Sequence, residues 1–433
     1  YKPGLPPSNF LPLYSSPAHI LTTSSPILHL LQFPLTALSL ITKMSHPNRQ
    51  VRLRDAMKAA GLDALLCFQP ENSFYLSNGV NAGIYSHEVI GVVTPNDLTP
   101  TIVLNTLRLT KAEQTPGDRK IYNYQTWHGR PSYGETWQDA LARALSDANI
   151  GSAPKIGIET GIKVYQKDGV QALYPDAEFI PATDIIDACR TLKDDDEIEK
   201  MRKAAAIANV GMSACIKALK GGLLVPEAQL EAKVAMHRHK IAHYPDAEIM
   251  GFGSSEGAKF DTLDCWALAG DERFKQAATP SARPAVDEAV SALFWAAIDG
   301  YHAELERTVH VGAVAALELE IVKAVRAYRK EIVPLAKPGV PVNELYRRVC
   351  ELYNADGYKP PNRIGHSIGA GPHEHFSINA TNDTPLAVGM VLAIEPGINF
   401  PGKAKTQISD TFVITEQGCE FLCRYDDDET RDY

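Results

Sequence analysis

The chain has no excess of basic residues: 43 Lys and Arg stand against 52 Asp and Glu, a formal charge of −9. Without a basic field it cannot hold phosphate backbones or an anionic bilayer, so neither nucleic acid nor a membrane is an expected partner. Cysteine is sparse and odd in number, at positions 67, 189, 215, 265, 350, 419 and 423. Cys419 and Cys423 form a C-x3-C without the second pair of a zinc knuckle, and the set reads as reduced, mostly buried thiols of a cytoplasmic protein. Long apolar runs are missing too. The most apolar stretch, Ile27 to Thr42, is broken by His29 and Pro34 and falls short of the roughly 20 residues of a membrane span. No acidic residue occurs from Tyr1 to Arg54, and up to Lys43 the chain is crowded with Pro, Ser, Thr and Leu. Residues 1–43 therefore read as an organelle-targeting or mis-started leader outside the folded part, with Met44 as an ordinary start.

What is present is ordinary globular composition, 45% hydrophobic and 22% charged over 433 residues, enough chain for two domains. From Arg49 to about Ala188, helical patterns (Val51–Ala60, Thr136–Ala148) alternate with short β-rich runs (Ala64–Phe68, Val89–Val93, Thr101–Asn105, Lys155–Glu159), which predicts an α/β domain over 44–190. Asp194 with Glu197 three residues on forms a capping box. Behind it Ile198, Met201, Ala205, Ala208, Met212, Cys215 and Leu219 recur at steps of three and four, one apolar face of a long helix. A second domain, α+β in its mixture, is expected over 191–425, with an acidic tail at 426–433. Its predicted helices are Glu227–His239, Ala316–Leu335 and Val342–Ala355. Its strands are Ala289–Ile298, Tyr301–Val311, Val391–Glu395 and Thr411–Thr415. Asp299-Gly300 between the first two strands is a hairpin signal, and a two-residue turn places Leu293 opposite Glu306.

Three stretches carry candidate chemistry. Gly365-His366-Ser-Ile-Gly369-Ala-Gly371-Pro-His373-Glu374 puts two histidines in a Gly-rich loop, where backbone approaches a ligand closely. Glu395-Pro-Gly397 ends an apolar strand on a carboxylate, which is costly to bury unless it is paired. On the hairpin His302, Glu304 and Glu306 share one face by two-residue alternation, with Arg307 on the other. His239 and His243 could pair on a helix, but His237-Arg-His-Lys240 reads better as a solvated basic turn.

Taken in this order, these residues resemble the creatinase, aminopeptidase P and methionine aminopeptidase family with its pita-bread fold. The likeness rests on Gly300-Tyr301-His-Ala-Glu-Leu-Glu-Arg307-Thr308, the Gly365-His366 loop with His373-Glu374, Gly389-Met390 with Glu395-Pro396-Gly397, and Ile408-Ser409-Asp410-Thr411 with Val413-Ile-Thr-Glu-Gln-Gly418. It implies an N-terminal creatinase-like α/β domain followed by a pita-bread domain, and a homodimer. Two-metal members of the family use five ligands. At their positions this chain reads Leu293, Glu304, His366, Glu395 and Ser409, so the resemblance implies that the dinuclear site is lost.

The hairpin sequence Leu305-Glu306-Arg307-Thr308 is more similar to the metal-free creatinase branch. Creatinase's catalytic histidine and substrate-carboxylate arginine, however, align with Ala277 and Ser377, which speaks against creatine as substrate. The expectation is metal-independent acid–base hydrolysis of a C–N bond in a small nitrogen-containing substrate, with cyclisation, elimination or isomerisation open to the same groups. His373 would act as general base with His366 orienting it, while Glu306 and Glu395 hold the group that develops charge. His302, Glu304, Tyr301 and Phe376, with Trp266, would line the substrate, and no metal or cofactor is expected. Two alternatives stand beside this: an Xaa-Pro peptidase holding one metal through Glu304, His366 and Glu395, and a non-catalytic binding protein that keeps the fold.

Overall fold

A computed structural model describes residues 48–81, 87–252, 261–275, 279–423 and 425; the leader 1–43, Met44, Ala277 and the acidic tail 426–433 lie outside the described residues. The first part is built from α1 (Arg49–Ala59), β1 (Ala64–Cys67), α2 (Pro70–Leu76), β2 (Ile90–Thr94), β3 (Asp97–Asn105), α3 (Leu109–Gln114), β4 (Lys120–Tyr124), α4 (Trp137–Asp147), β5 (Lys155–Ile158), α5 (Val164–Leu173), β6 (Glu178–Pro181) and α6 (Thr183–Thr191). Its strands form one sheet in the order β4-β3-β2-β1-β5-β6, with β2 antiparallel to both its neighbours and the other pairs parallel. Alternation along β1 divides the core. Ala64 and Leu66 pack toward α4 and α5, while Leu65 and Cys67 pack toward α1 and α6, as period-two side chains between two helical layers must.

The second part begins with α7 (Asp195–Lys220), where Asp194 and Glu197 complete the capping box. Its predicted stripe is buried from Met201 through Leu219, with Ile198 at the margin. Then come α8 (Val225–His243), β7 (Leu263–Ala269), β8 (Glu288–Ile298), β9 (Tyr301–Val311), α9 (Ala316–Ile332), α10 (Val342–Ala355), β10 (Gly365–Ser367), β11 (Val391–Ile394), β12 (Gly397–Phe400), β13 (Ala404–Gln407), β14 (Ser409–Thr415) and β15 (Gly418–Phe421). The antiparallel main sheet runs β10-β11-β14-β9-β8-β7, with β15 paired to β14 and β12-β13 a separate hairpin. Residues 237–240 continue α8 rather than forming a turn, which brings the His239 and His243 rings to 4.3 Å centre to centre. Among the described residues no helix is long and apolar enough to cross a membrane.

The β8–β9 hairpin turns on Asp299 and Gly300 at φ 50° and 82°, the positive angles of a type I′ turn, and Leu293 does stand across from Glu306. Tyr301, Ala303 and Leu305 join the core cluster that includes α7 and α8. The even-numbered residues of β9 occupy the opposite face.

Where β9, β14 and α9 meet, one buried carboxylate serves two buried guanidiniums: Arg307 Nη2 lies 2.8 Å from Asp410 Oδ1, and Arg329 Nη2 binds Asp410 Oδ2. Arg307 also donates to the carbonyls of Glu306 and Ser409, and Arg329 to those of Ile394 and Ile408. Removing the shared carboxylate strands two buried cations. Asp410→Ala is therefore expected to lose about 3–5 kcal/mol of stability in urea unfolding, and an unchanged midpoint and slope would refute this role.

Candidate active site

The even-numbered face of β9 presents Glu304 and Glu306 beside Ser409 of β14, which pairs with Glu306 in register. β10 adds His366, whose neighbours in the sheet, Ala393 and then Thr411, carry the same face across. A Cβ at Gly365 would fall 2.2 Å from the Ala393 carbonyl, so only glycine lets β10 pair here and deliver His366. Glu395 follows β11 and is fixed by its amide, which donates to Ile364 O at 2.8 Å.

Ligand atoms of Glu304, His366 and His373 lie within 4.8 Å of one another, and so do those of Glu304, Glu306 and Glu395. His366 Nε2 is 3.5 Å from Glu304 Oε2 and 3.8 Å from Glu395 Oε1. Its Nδ1 is 3.1 Å from Ser367 O, which fixes the tautomer that carries the hydrogen on Nδ1 and leaves the buried Nε2 without a hydrogen bond. The His373 ring packs over His366 with centroids 3.7 Å apart.

Each carboxylate is oriented. Ser409 Oγ donates to Glu304 Oε1 at 2.7 Å, and the Trp295 indole N–H to Oε2 at 3.3 Å. Gln407 donates to Glu395 Oε2 at 2.9 Å, and Arg363 Nη2 lies 3.3 Å from Oε1. Burial raises the pKa of Glu304, but the facing His366 imidazole outweighs it and holds the group well below its ordinary value. Burial and the Glu304 charge push Glu395 the other way. Burial opposes charge on His366, yet Glu304 and Glu395 keep its pKa raised. His373, pressed down by burial and by His366, is held neutral.

Of the residues expected to line the substrate, Glu304 stands in this cluster and three do not. The Tyr301 hydroxyl donates to Glu197 Oε1 at 2.8 Å on the helix side of the sheet, the side its odd position on β9 dictates. Phe376 is buried in the core beneath α9 and α10, because residues 374–377 double back along β10. His302 is on the site face, but its ring is engaged by backbone: Nδ1 lies 3.1 Å from Gly369 O, and Nε2 accepts from the Phe252 amide at 3.3 Å. It is a bracket for two loops. Ser377 bridges to His366 through backbone. Trp295, Arg363 and Gln407 were not foreseen. Trp295 could have been, since the register that sets Leu293 against Glu306 also sets Trp295 against Glu304.

Beneath the loop, Glu374 accepts from Lys193 Nζ at 2.6 Å and from Arg190 Nη2 at 2.9 Å, with its side chain 2% exposed. Burial pushes this carboxyl up, but Lys193 and Arg190 outweigh it and hold it at about 2.

These observations define a buried carboxylate–imidazole centre on a pita-bread sheet behind a creatinase-like α/β domain. A match to metallopeptidase family M24 spans residues 199–416, and one to the creatinase/prolidase N-terminal domain spans 49–192. The chain belongs to family M24, a family of hydrolytic enzymes. The Bacillus subtilis protein named "Putative dipeptidase YkvY" is 26% identical over 388 residues, covering 88% of this chain and 99% of the relative. In fold the chain matches the prolidase from Pyrococcus horikoshii (TM-score 0.71, 22% identity, 88% of this chain and 99% of that one). It also matches an Xaa-Pro dipeptidase from Bacillus anthracis (TM-score 0.72, 21% identity, 88% and 98%). These findings overturn the expected metal-independent, creatinase-like reaction. That expectation let the ligands lost at Leu293 and Ser409 outweigh the donors Glu304, His366 and Glu395, and the findings favour the peptidase alternative that rested on them.

Because the folded pKa of Glu374 lies below its ordinary 4.5, its pairing stabilises fully above pH 4.5 and is lost as the pH falls toward 2. Urea unfolding across pH should show the wild type more stable than Glu374→Gln by on the order of 3 kcal/mol at neutrality. That gap should close with acid; a gap that widens would contradict the pairing.

Proposed function

We propose that the chain is a one-cation hydrolase of short peptides, of dipeptidase or Xaa-Pro peptidase kind. The donors fit one divalent cation: His366 Nε2 lies 3.5 Å from an oxygen of Glu304 and 3.8 Å from one of Glu395, so the three fixed side chains offer two oxygens and one nitrogen, the mixture such sites use. They do not fit two, since Leu293 puts an alkyl group and Ser409 a neutral hydroxyl at the positions that would complete a second site. The observation that carries this reading is the buried His366 Nε2, aimed between the oxygens of Glu304 and Glu395 with its other nitrogen tied to backbone. The family membership and the dipeptidase name of the full-length relative support it.

Bound there, a divalent cation supplies Lewis-acid polarisation of the substrate carbonyl. The chain's own groups do the rest. His373, neutral and stacked on His366, takes a proton from the attacking water and returns it to the departing amine. Ser409 and Trp295 hold Glu304, and Gln407 and Arg363 hold Glu395, so that neither carboxylate swings when substrate enters. Leu293 and Trp266, cross-strand neighbours, set apolar side chains beside Glu306.

Elemental analysis after loading with Mn, Co or Zn should find one equivalent per chain, with hydrolysis of dipeptides, Xaa-Pro among them. His366→Ala should abolish both. Less than about a tenth of an equivalent of every metal would refute the site. Leu293→Asp with Ser409→Glu should raise the stoichiometry to two. His373→Ala should keep the cation and lower kcat by about 10²- to 10⁴-fold; full turnover would remove His373 from the mechanism.

A further inference from the structure

Glu374 follows His373 directly in the loop, and the two side chains part company. The His373 ring stacks on His366, while the Glu374 carboxylate turns away from it into the protein. Its two partners, Arg190 and Lys193, bracket the link between α6 and α7. The contact is tight: a Cβ at Gly369 would lie 2.6 Å from Lys193 Cε and 2.8 Å from Glu374 Oε1, so the glycine of the loop makes room for the ion pair. The flanking residue is tied as well, with His375 Nε2 2.9 Å from Thr191 Oγ1.

The chain of bonds continues into the first domain. Arg190 Nη1 donates to Asn72 Oδ1 at 2.8 Å, and Asn72 Nδ2 donates to Glu159 Oε2 at 2.8 Å. Glu159 Oε1 in turn accepts from the amides of Phe68 and Gln69, which lead into α2. One path of buried polar contacts thus runs from the strand ends of the first sheet to the residue beside the proton carrier. Both ends of Glu374 are fixed, since its own amide donates to Ser367 O at 2.8 Å, next to His366. A charged group held by two cations in a desolvated site has one geometry, and its neighbour in sequence inherits that geometry.

We propose that Glu374 is a positioning residue, which with Arg190 and Asn72 makes the placement of His373 over His366 depend on the docking of the first domain. The inference rests on His373 as proton carrier, yet its first readout does not need turnover. In ¹H–¹⁵N spectra of the imidazoles, assigned with His373→Ala, the His373 resonances should shift or split in Glu374→Gln and in Asn72→Ala, in protein that remains folded by circular dichroism. Asn72→Ala leaves the Arg190, Lys193 and Glu374 charges unchanged, so it stays informative if Glu374→Gln fails to fold. In the metal-loaded enzyme with a cleaved dipeptide, both variants should lose kcat on the order of 10- to 100-fold, the scale of a misplaced catalytic group, with KM nearly unchanged. Unmoved His373 resonances in Asn72→Ala would overturn the coupling to the first domain. Lowered thermal stability with wild-type resonances and wild-type kcat would reduce the cluster to structure alone. Shifted resonances in a protein that cleaves no peptide would uphold the coupling while refuting the peptidase reading.

Discussion

The site depends on Asp410. A single carboxylate pairs with both Arg307 and Arg329, and the two buried guanidiniums direct further N–H groups to main-chain carbonyls. Those carbonyls belong to Glu306, Ile394, Ile408 and Ser409. Each is a site residue or the immediate neighbour of one. Strands that would be held only by ladder bonds are thereby fixed in register and in depth, and the side chains they carry on the far face arrive at set distances.

On that far face the electrostatics are complementary in a different way. Carboxylates converge on the His366 imidazole, with Arg363 reaching only the Oε1 edge of Glu395, and the result is a split: Glu304 is held as the anion by His366, and burial with the Glu304 charge pushes Glu395 toward its neutral form. A site that must suppress part of its own charge has an open demand for a cation. Leu293 and Ser409 lower that demand relative to a two-cation centre without removing it.

Much of this was legible in the sequence, and the reasons are local. The Asp-Gly turn set the hairpin and the register Leu293 to Glu306. The three-and-four stripe from Met201 to Leu219 and the Asp194 capping box set α7. The motif residues Glu304, His366, His373 and Glu395 do meet. What could not be read was long-range: nothing near Arg363 or Gln407 says that β12–β13 and the approach to β10 bring both to Glu395. The strand β7 went unread as well. Other misreadings were avoidable. Tyr301 has the parity of Leu305 and so belonged to the core, and the assignment to the creatinase branch weighed the Leu-Glu-Arg-Thr string above the donors that were kept.

The hairpin separates two tasks by the parity of residue number. Odd positions of β9 fill the helix-facing core, and even positions furnish the chemistry. A change at Glu304 or Glu306 alters the charge available for catalysis and leaves the packing of the helix-facing side in place. Leu293 of β8 and Ser409 of β14, which stand across from Glu306 on that same face and occupy ligand positions on a sheet that keeps its register, show this freedom in use. The scaffold is a template whose working face can be rewritten one residue at a time.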